Sequence, residues 1–340
     1  DTHFGLVFGG SHGAVNIGTG GAGLQLNVRG IGVSLFENST GAFAIGHAGA
    51  TSSILVNAGA ANGRGIESFR SDATVTATNI DINGTGTGVS SVGVFVEDND
   101  ADGSFTLTGA NTIDSTGGVG LFIHSAAVSI SGLTLGASAT GLADAITGAG
   151  IQILNSDGVS RTVALTGITM GSGGNGDTTD IAGIGIDIDS SDAGVLTVNL
   201  TGANVIRSTG QALDADETGA GVANNLLLSV DTTTFESGSA GQTVEITGQN
   251  VSTTTSSIGL RSFAGNTVIG NGVVVDPWAF RDEKKRLEDL GVAITPDLVK
   301  EVRARLDLAG FRHVEIMVSG GFTAARIREF VESEAPVNSF

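Results

Sequence analysis

The chain has 340 residues and no cysteine, and its 35 acidic against 16 basic residues leave a net charge of −19 at pH 7. The lack of cysteine excludes disulfides and thiolate metal sites, and the acidic balance argues against nucleic acid and anionic membranes, which both require clustered Lys and Arg. No run of about 18 apolar residues offers a membrane span, so no membrane insertion is expected of this fragment.

Composition divides the chain near residue 275. All three prolines (Pro277, Pro296, Pro336), all three lysines (Lys284, Lys285, Lys300) and Trp278 follow it, whereas 50 of the 54 glycines precede it. The first part carries 23 acids and 6 arginines, so −17 of the charge sits there. Two bodies are expected, residues 1–272 and residues 276–340.

Residues 1–60 hold short alternating apolar segments, among them Gly23–Val28, Ile31–Phe36 and Phe43–Ile45, broken by many glycines. His3, His12 and His47 are scattered among them and suggest no site. Residues 61–272 spell one sentence repeatedly: a small residue, a short apolar strand, a polar break, a second alternating strand, then a turn. Gly93-Val-Phe-Val leads to Phe105-Thr-Leu-Thr-Gly, and Gly185-Ile-Asp-Ile leads to Val198-Asn-Leu-Thr-Gly. Thr108-Gly-Ala-Asn-Thr-Ile returns almost unchanged as Thr201-Gly-Ala-Asn-Val-Ile. Anchor glycines are read at 65, 93, 120, 150, 185, 210 and 241, a spacing of roughly thirty residues that suits one coil of a solenoid. A single coil cannot cover its own apolar side, so the units are expected to stack.

This repeat resembles the right-handed parallel β-helix of pectate-lyase-like polysaccharide enzymes, surface adhesins and autotransporter passengers. The resemblance implies an all-β, single-stranded solenoid followed by a small α/β appendage. Phe69, Phe95, Phe105, Phe122 and Phe235 are expected inside the coils. Asn79, Asn111 and Asn204 are expected at corners, where Asn tolerates the left-handed conformation.

The sharpest local motif is Asp98-Asn-Asp-Ala-Asp-Gly103. Alternate carboxylates at Asp98, Asp100 and Asp102, with a turn glycine after them, are the first half of an oxygen-ligand calcium loop. Position twelve is Gly109 rather than Glu, so an EF-hand is not expected, and two readings stay open: a Ca²⁺-binding corner and a solvated acidic turn. Asp187, Asp189 and Asp192 form a second acidic set, and Asp214, Asp216 and Glu217 repeat it one coil later, which together with Asp98 and Asp100 predicts an acidic strip along one side. His124 follows its strand with no carboxylate partner visible in the sequence. A lyase would need a Lys or Arg base, yet the solenoid has no Lys and six dispersed Arg.

Beyond residue 280 the period changes. Arg281–Leu290 reads as a helix closed by Gly291. Thr295-Pro296 caps a second helix reaching Ala309, with Leu298, Val302 and Leu306 on one stripe. Val314–Val318 reads as a strand, and Thr323 caps a helix to about Ser333. Glu301–Asp307, Phe311–Val314, Val318-Ser-Gly-Gly321 and Ala335–Phe340 resemble the nicotinate phosphoribosyltransferase family over about 65 residues. That resemblance implies phosphate binding at Ser319, Gly320 and Gly321, although most of that family's active site has no counterpart here.

The function expected is a structural or adhesive, non-catalytic segment of a secreted or cell-surface protein. Ca²⁺ is the expected stabilising cofactor, and surface glycans or host and cell-surface proteins are the expected partners. A polysaccharide lyase or glycoside hydrolase is the first alternative. An inactive phosphoribosyltransferase remnant is the second.

Overall fold

The computed structural model describes residues 4–11, 13–21, 23–56, 63–86, 91–97, 103–136, 146–171, 180–191, 194–217, 225–238, 241–248, 258–269, 273–275, 295–308, 316 and 324–337. The chain divides into two compact units, Asp1–Ala279 and Phe280–Phe340.

The first unit is a right-handed parallel β-solenoid. One face is a ten-stranded sheet that takes one strand from every coil: Phe4–Ser11, Ile31–Thr40, Arg64–Phe69, Val92–Glu97, Val119–His124, Ile151–Asn155, Ile186–Ser190, Leu213–Glu217, Val244–Gly248 and Val273–Val275. The other two faces belong to a 16-stranded sheet. In most coils a corner separates their strands, as between Ser104–Thr108 and Asn111–Thr116. In two coils single long strands, Val128–Leu135 and Arg161–Met170, run across both faces. They bend where Gly132 (φ 75) and Gly167 (φ 64) adopt the left-handed backbone that glycine tolerates.

The strand pairs within these sheets are parallel and largely in register. Val94 lies beside Leu121, Leu121 beside Ile151, and Ile151 beside Ile186. All four are buried, in one core with Phe105, Ile130, Leu165 and Phe235. Alternation turns every second side chain inward, and stacking then shields each from water above and below. Each fully buried Val, Leu or Ile contributes about 1.5–3 kcal/mol relative to exposure.

The anchor glycines line one corner. Gly32, Gly65, Gly93, Gly120, Gly150 and Gly185 stack rung on rung, each facing the carbonyl of the next. The column continues as Ala212 rather than Gly210. Gly210 belongs to a neighbouring column, where its N–H donates to the Gly183 carbonyl at 2.9 Å.

All three expected asparagines lie beside corners, but only one of them takes the left-handed backbone. Asn79 has φ 51. At the repeated Thr-Gly-Ala-Asn turns the positive φ falls on Gly109 (84) and Gly202 (80) instead. Asn111 and Asn204 are buried and bond the corner through their amides. Asn111 Oδ1 accepts from Ile80 N–H at 2.9 Å, and its Nδ2 donates to the carbonyls of Thr108 and Gly132 at 3.1 and 3.2 Å. Asn204 repeats this with Ile168 N–H at 2.9 Å and the Thr201 carbonyl at 3.0 Å.

In the second unit, helices Pro296–Leu308 and Ala324–Glu332 are described. Leu298 N–H donates to Thr295 Oγ1 at 3.2 Å, the N-cap that the sequence signals. Val299 of the first helix is buried and clusters with Phe330. Leu298 and Val302, expected on the buried stripe, are exposed. The expected helix Arg281–Leu290 lies outside the described residues, as does most of the expected strand Val314–Val318.

Candidate functional site

The ten-stranded sheet turns every second side chain to the outside, and register collects these into two columns. One column begins with Ser34, Glu67, Phe95 and Phe122. It continues as Gln152, Asp187, Asp214 and Glu245. The second column passes through Phe36, Phe69, Glu97 and His124, then Leu154, Asp189, Asp216 and Thr247.

The early rungs are aromatic. Phe95 and Phe122 stack at 5.0 Å with planes 15° apart, and Phe36 and Phe69 at 5.6 Å and 19°. Phe105 and Phe235 are interior, as expected, but Phe69, Phe95 and Phe122 take outward positions because their neighbours Val94, Val96, Leu121 and Ile123 take the inward ones, and of the three Phe95 is buried at 7% exposure. The Arg64 guanidinium lies 3.5 Å over the Phe95 ring and pairs with Glu67, which also accepts from Ser34 Oγ at 2.8 Å. Phe36 is 44% exposed.

The later rungs are acidic. Asp187, Asp189, Asp214, Asp216 and Glu245 come from three consecutive strands, whose spacing is about 4.8 Å. Gln152 Nε2 donates to Asp187 Oδ2 at 2.9 Å, Gln211 Nε2 to Glu245 at 2.6 Å, and the Thr247 hydroxyl to Asp216. Burial pushes Asp214 up to about 7, with repulsion from Asp216, Glu245, Asp187 and Asp189 adding to it. Burial also raises Asp187, against the opposing hydrogen bond from Gln152 and with Asp216 adding repulsion. Asp189 is raised by burial and by Asp187 and Asp216. Asp214 Oδ1 is shut from solvent and has no hydrogen-bond partner among the described residues.

The expected acidic strip is therefore present for four of its members, and Glu245, which sequence reading passed over, extends it. Glu217 does not join. It occupies an inward position of the strand Leu213–Glu217 and is fully buried, so it belongs to the interior. Asp98, Asp100 and Asp102 of the expected calcium loop lie outside the described residues, as do Asp192 and the expected phosphate turn Ser319, Gly320 and Gly321. Among the described residues no group of three or more His, Asp or Glu is placed to hold a metal ion. His124 does have a carboxylate partner. Parallel register puts Glu97 beside it, with Nδ1 at 3.5 Å from Oε1.

In-register ladders, a glycine-lined corner and a long outward face define a parallel β-helix repeat protein. No protein-family model matches the chain, and no solved structure matches it. Among curated proteins, adenylosuccinate synthetase of Koribacter versatilis (strain Ellin345) is 53% identical over 49 residues, which is 14% of this chain and 11% of that protein. The chain thus spans about a tenth of the length of that relative, and the match is too local to show a family. The C-terminal likeness to nicotinate phosphoribosyltransferases finds no support in these comparisons.

Proposed function

We propose that the chain is a structural and adhesive segment of a secreted or cell-surface β-helix protein, and that the outward face of its ten-stranded sheet binds an extended glycan. One observation carries this reading: two outward columns lead in register from stacked aromatic rings to a carboxylate field. Aromatic faces pack against the C–H faces of sugar rings, and carboxylates accept hydrogen bonds from sugar hydroxyls. The charge of the field favours a neutral or amino sugar over a polyanion. The absence of lysine before residue 276 and the acidic surface suit a soluble exported rod. Titration calorimetry with neutral and polyanionic glycan oligomers tests it. Binding of a neutral oligomer that Phe122→Ala or Asp187→Asn weakens supports the reading, and no heat with any oligomer overturns it.

Ca²⁺ held by Asp98, Asp100 and Asp102 belongs to the same reading, on the alternation of carboxylates alone. Calorimetric titration to millimolar Ca²⁺ decides it, with Asp100→Asn as the control.

Asp214 favours a second reading, a polysaccharide-acting enzyme. A carboxyl group still protonated near neutrality, beside other carboxylates, is the pairing that glycoside hydrolysis uses. Release of reducing ends from a bound oligomer, abolished by Asp214→Asn, would establish it.

A further inference from the structure

Three side chains on consecutive rungs form a linked chain between the aromatic and the acidic rungs. Glu97 ends the strand Val92–Glu97, and register sets His124 beside it. Ser156 follows the last residue of the next strand, Ile151–Asn155. His124 Nε2 lies 2.7 Å from Ser156 Oγ, and His124 Nδ1 lies 3.5 Å from Glu97 Oε1. All three reach solvent: the His124 and Glu97 side chains are 27% and 26% exposed, and Ser156 is exposed.

The Glu97 carboxylate stands on the Nδ1 side of the ring at ion-pair distance, and with the proton on Nδ1 the Nε2 lone pair faces the serine hydroxyl. We propose that Ser156, His124 and Glu97 form a Ser-His-Glu acyl-transfer triad that hydrolyses small carboxylic esters. Nucleophile, base and orienting acid stand in the order that such chemistry requires.

The surroundings hold the serine in place. Ser156 N–H donates to Ser125 Oγ at 3.2 Å. Ser125 itself sits at φ 51, in the left-handed region, with its N–H on the Leu154 carbonyl at 2.8 Å. Its carbonyl accepts from the buried Arg161 Nε at 2.9 Å, and Arg161 pairs at 2.9 Å with Asp157, the residue after the serine. A non-glycine residue stays left-handed only where such bonds over-determine it. The Phe122 ring meets the imidazole edge-on at 6.1 Å between centroids and steadies its plane.

In the reaction, Ser156 Oγ bonds to the ester carbonyl carbon while its proton passes to His124 Nε2. The ester C–O bond then breaks, and that proton leaves with the alcohol. Water, deprotonated by His124, attacks the acyl-serine and releases the carboxylic acid, and the proton returns to Ser156. Glu97 faces the imidazolium each time it forms. The triad stands on an open face, where a small ester can reach it.

The test uses the full chain with p-nitrophenyl acetate and a fluorophosphonate probe. Ser156→Ala and His124→Gln are expected to lower hydrolysis about 100-fold or more, with a smaller loss for Glu97→Gln. The probe should add to Ser156 alone, as read by peptide mass, and His124→Gln should suppress that adduct while the melting temperature stays put. Hydrolysis unchanged in Ser156→Ala, or no adduct on Ser156, overturns the proposal. A small ester requires no glycan site, so failure here leaves the binding reading to its own test.

Discussion

The Gly150 carbonyl oxygen lies 2.6 Å from where a Cβ on Gly120 would stand. The same approach recurs from Gly65 to the Gly93 carbonyl and from Gly93 to the Gly120 carbonyl, each at 2.6 Å. From the far side of the interior a ladder of large side chains presses on the same column: Ile82 against Gly65, Ile113 against Gly93, Leu135 against Gly120 and Ile206 against Gly185. The glycines are thus a packing requirement, since their missing side chains leave the room that the aliphatic ladder fills.

Gly120→Ala should therefore destabilise the solenoid by about 1–3 kcal/mol, the usual cost of overpacking against atoms that cannot retreat. Gly13→Ala is the control, because a Cβ there meets nothing within 4 Å. It should stay within about 0.5 kcal/mol of the parent. Urea midpoints measure both, and equal midpoints would show that the glycine column is not a packing constraint.

The solenoid was legible in the sequence because two local signals, period-2 alternation and a recurring small residue, agree over many coils. What the sequence hid depends on register between rungs. Gly210 looks like the next anchor by spacing, but the residue stacked on Gly185 is Ala212, since corner lengths vary from coil to coil. Glu217 seems to continue the acidic set by proximity, yet alternation turns it inward. Phe95 and Phe122 looked like core by composition and take outward positions by parity, one residue away from Val94 and Leu121, although Phe95 is still buried, under the Arg64 guanidinium. The pairing of His124 with Glu97 was recoverable in principle. Both residues end equivalent strands 27 positions apart, and only the rung alignment reveals it.

Buried asparagines at the repeated corners should be costly to lose. Asn111→Ala leaves Ile80 N–H and the Thr108 carbonyl without this partner away from water. A loss of about 1–3 kcal/mol is expected, with Asn204→Ala similar. Denaturant unfolding of the two single variants measures it, and a loss under about 0.5 kcal/mol would show that water replaces the amide.

The acidic field makes stability fall as pH rises. Asp214 titrates near 7 in the folded chain against 3.8 as its ordinary value. Between those limits the folded state holds a proton that the unfolded state has released, so stability drops across this window and is lowest above it. Asp214→Asn should flatten that slope and raise stability at pH 8 by on the order of 1 kcal/mol, after allowance for solvent screening of a half-buried group. Melting temperatures between pH 4 and pH 8 read the effect. Parallel profiles for parent and variant would contradict it.

The central claim is that successive coils lie in register as adjacent rungs, and engineered cross-links test it most directly in a chain without native cysteine. Gln152 and Asp187 are register partners, whereas Asp214 lies one rung further on. Rungs about 4.8 Å apart fit the span of a disulfide, and two rungs, about 9.6 Å, do not. The double variant Gln152→Cys with Asp187→Cys should close an intramolecular disulfide on mild oxidation, and Gln152→Cys with Asp214→Cys should not. Closure of the second pair in preference to the first would contradict the ladder.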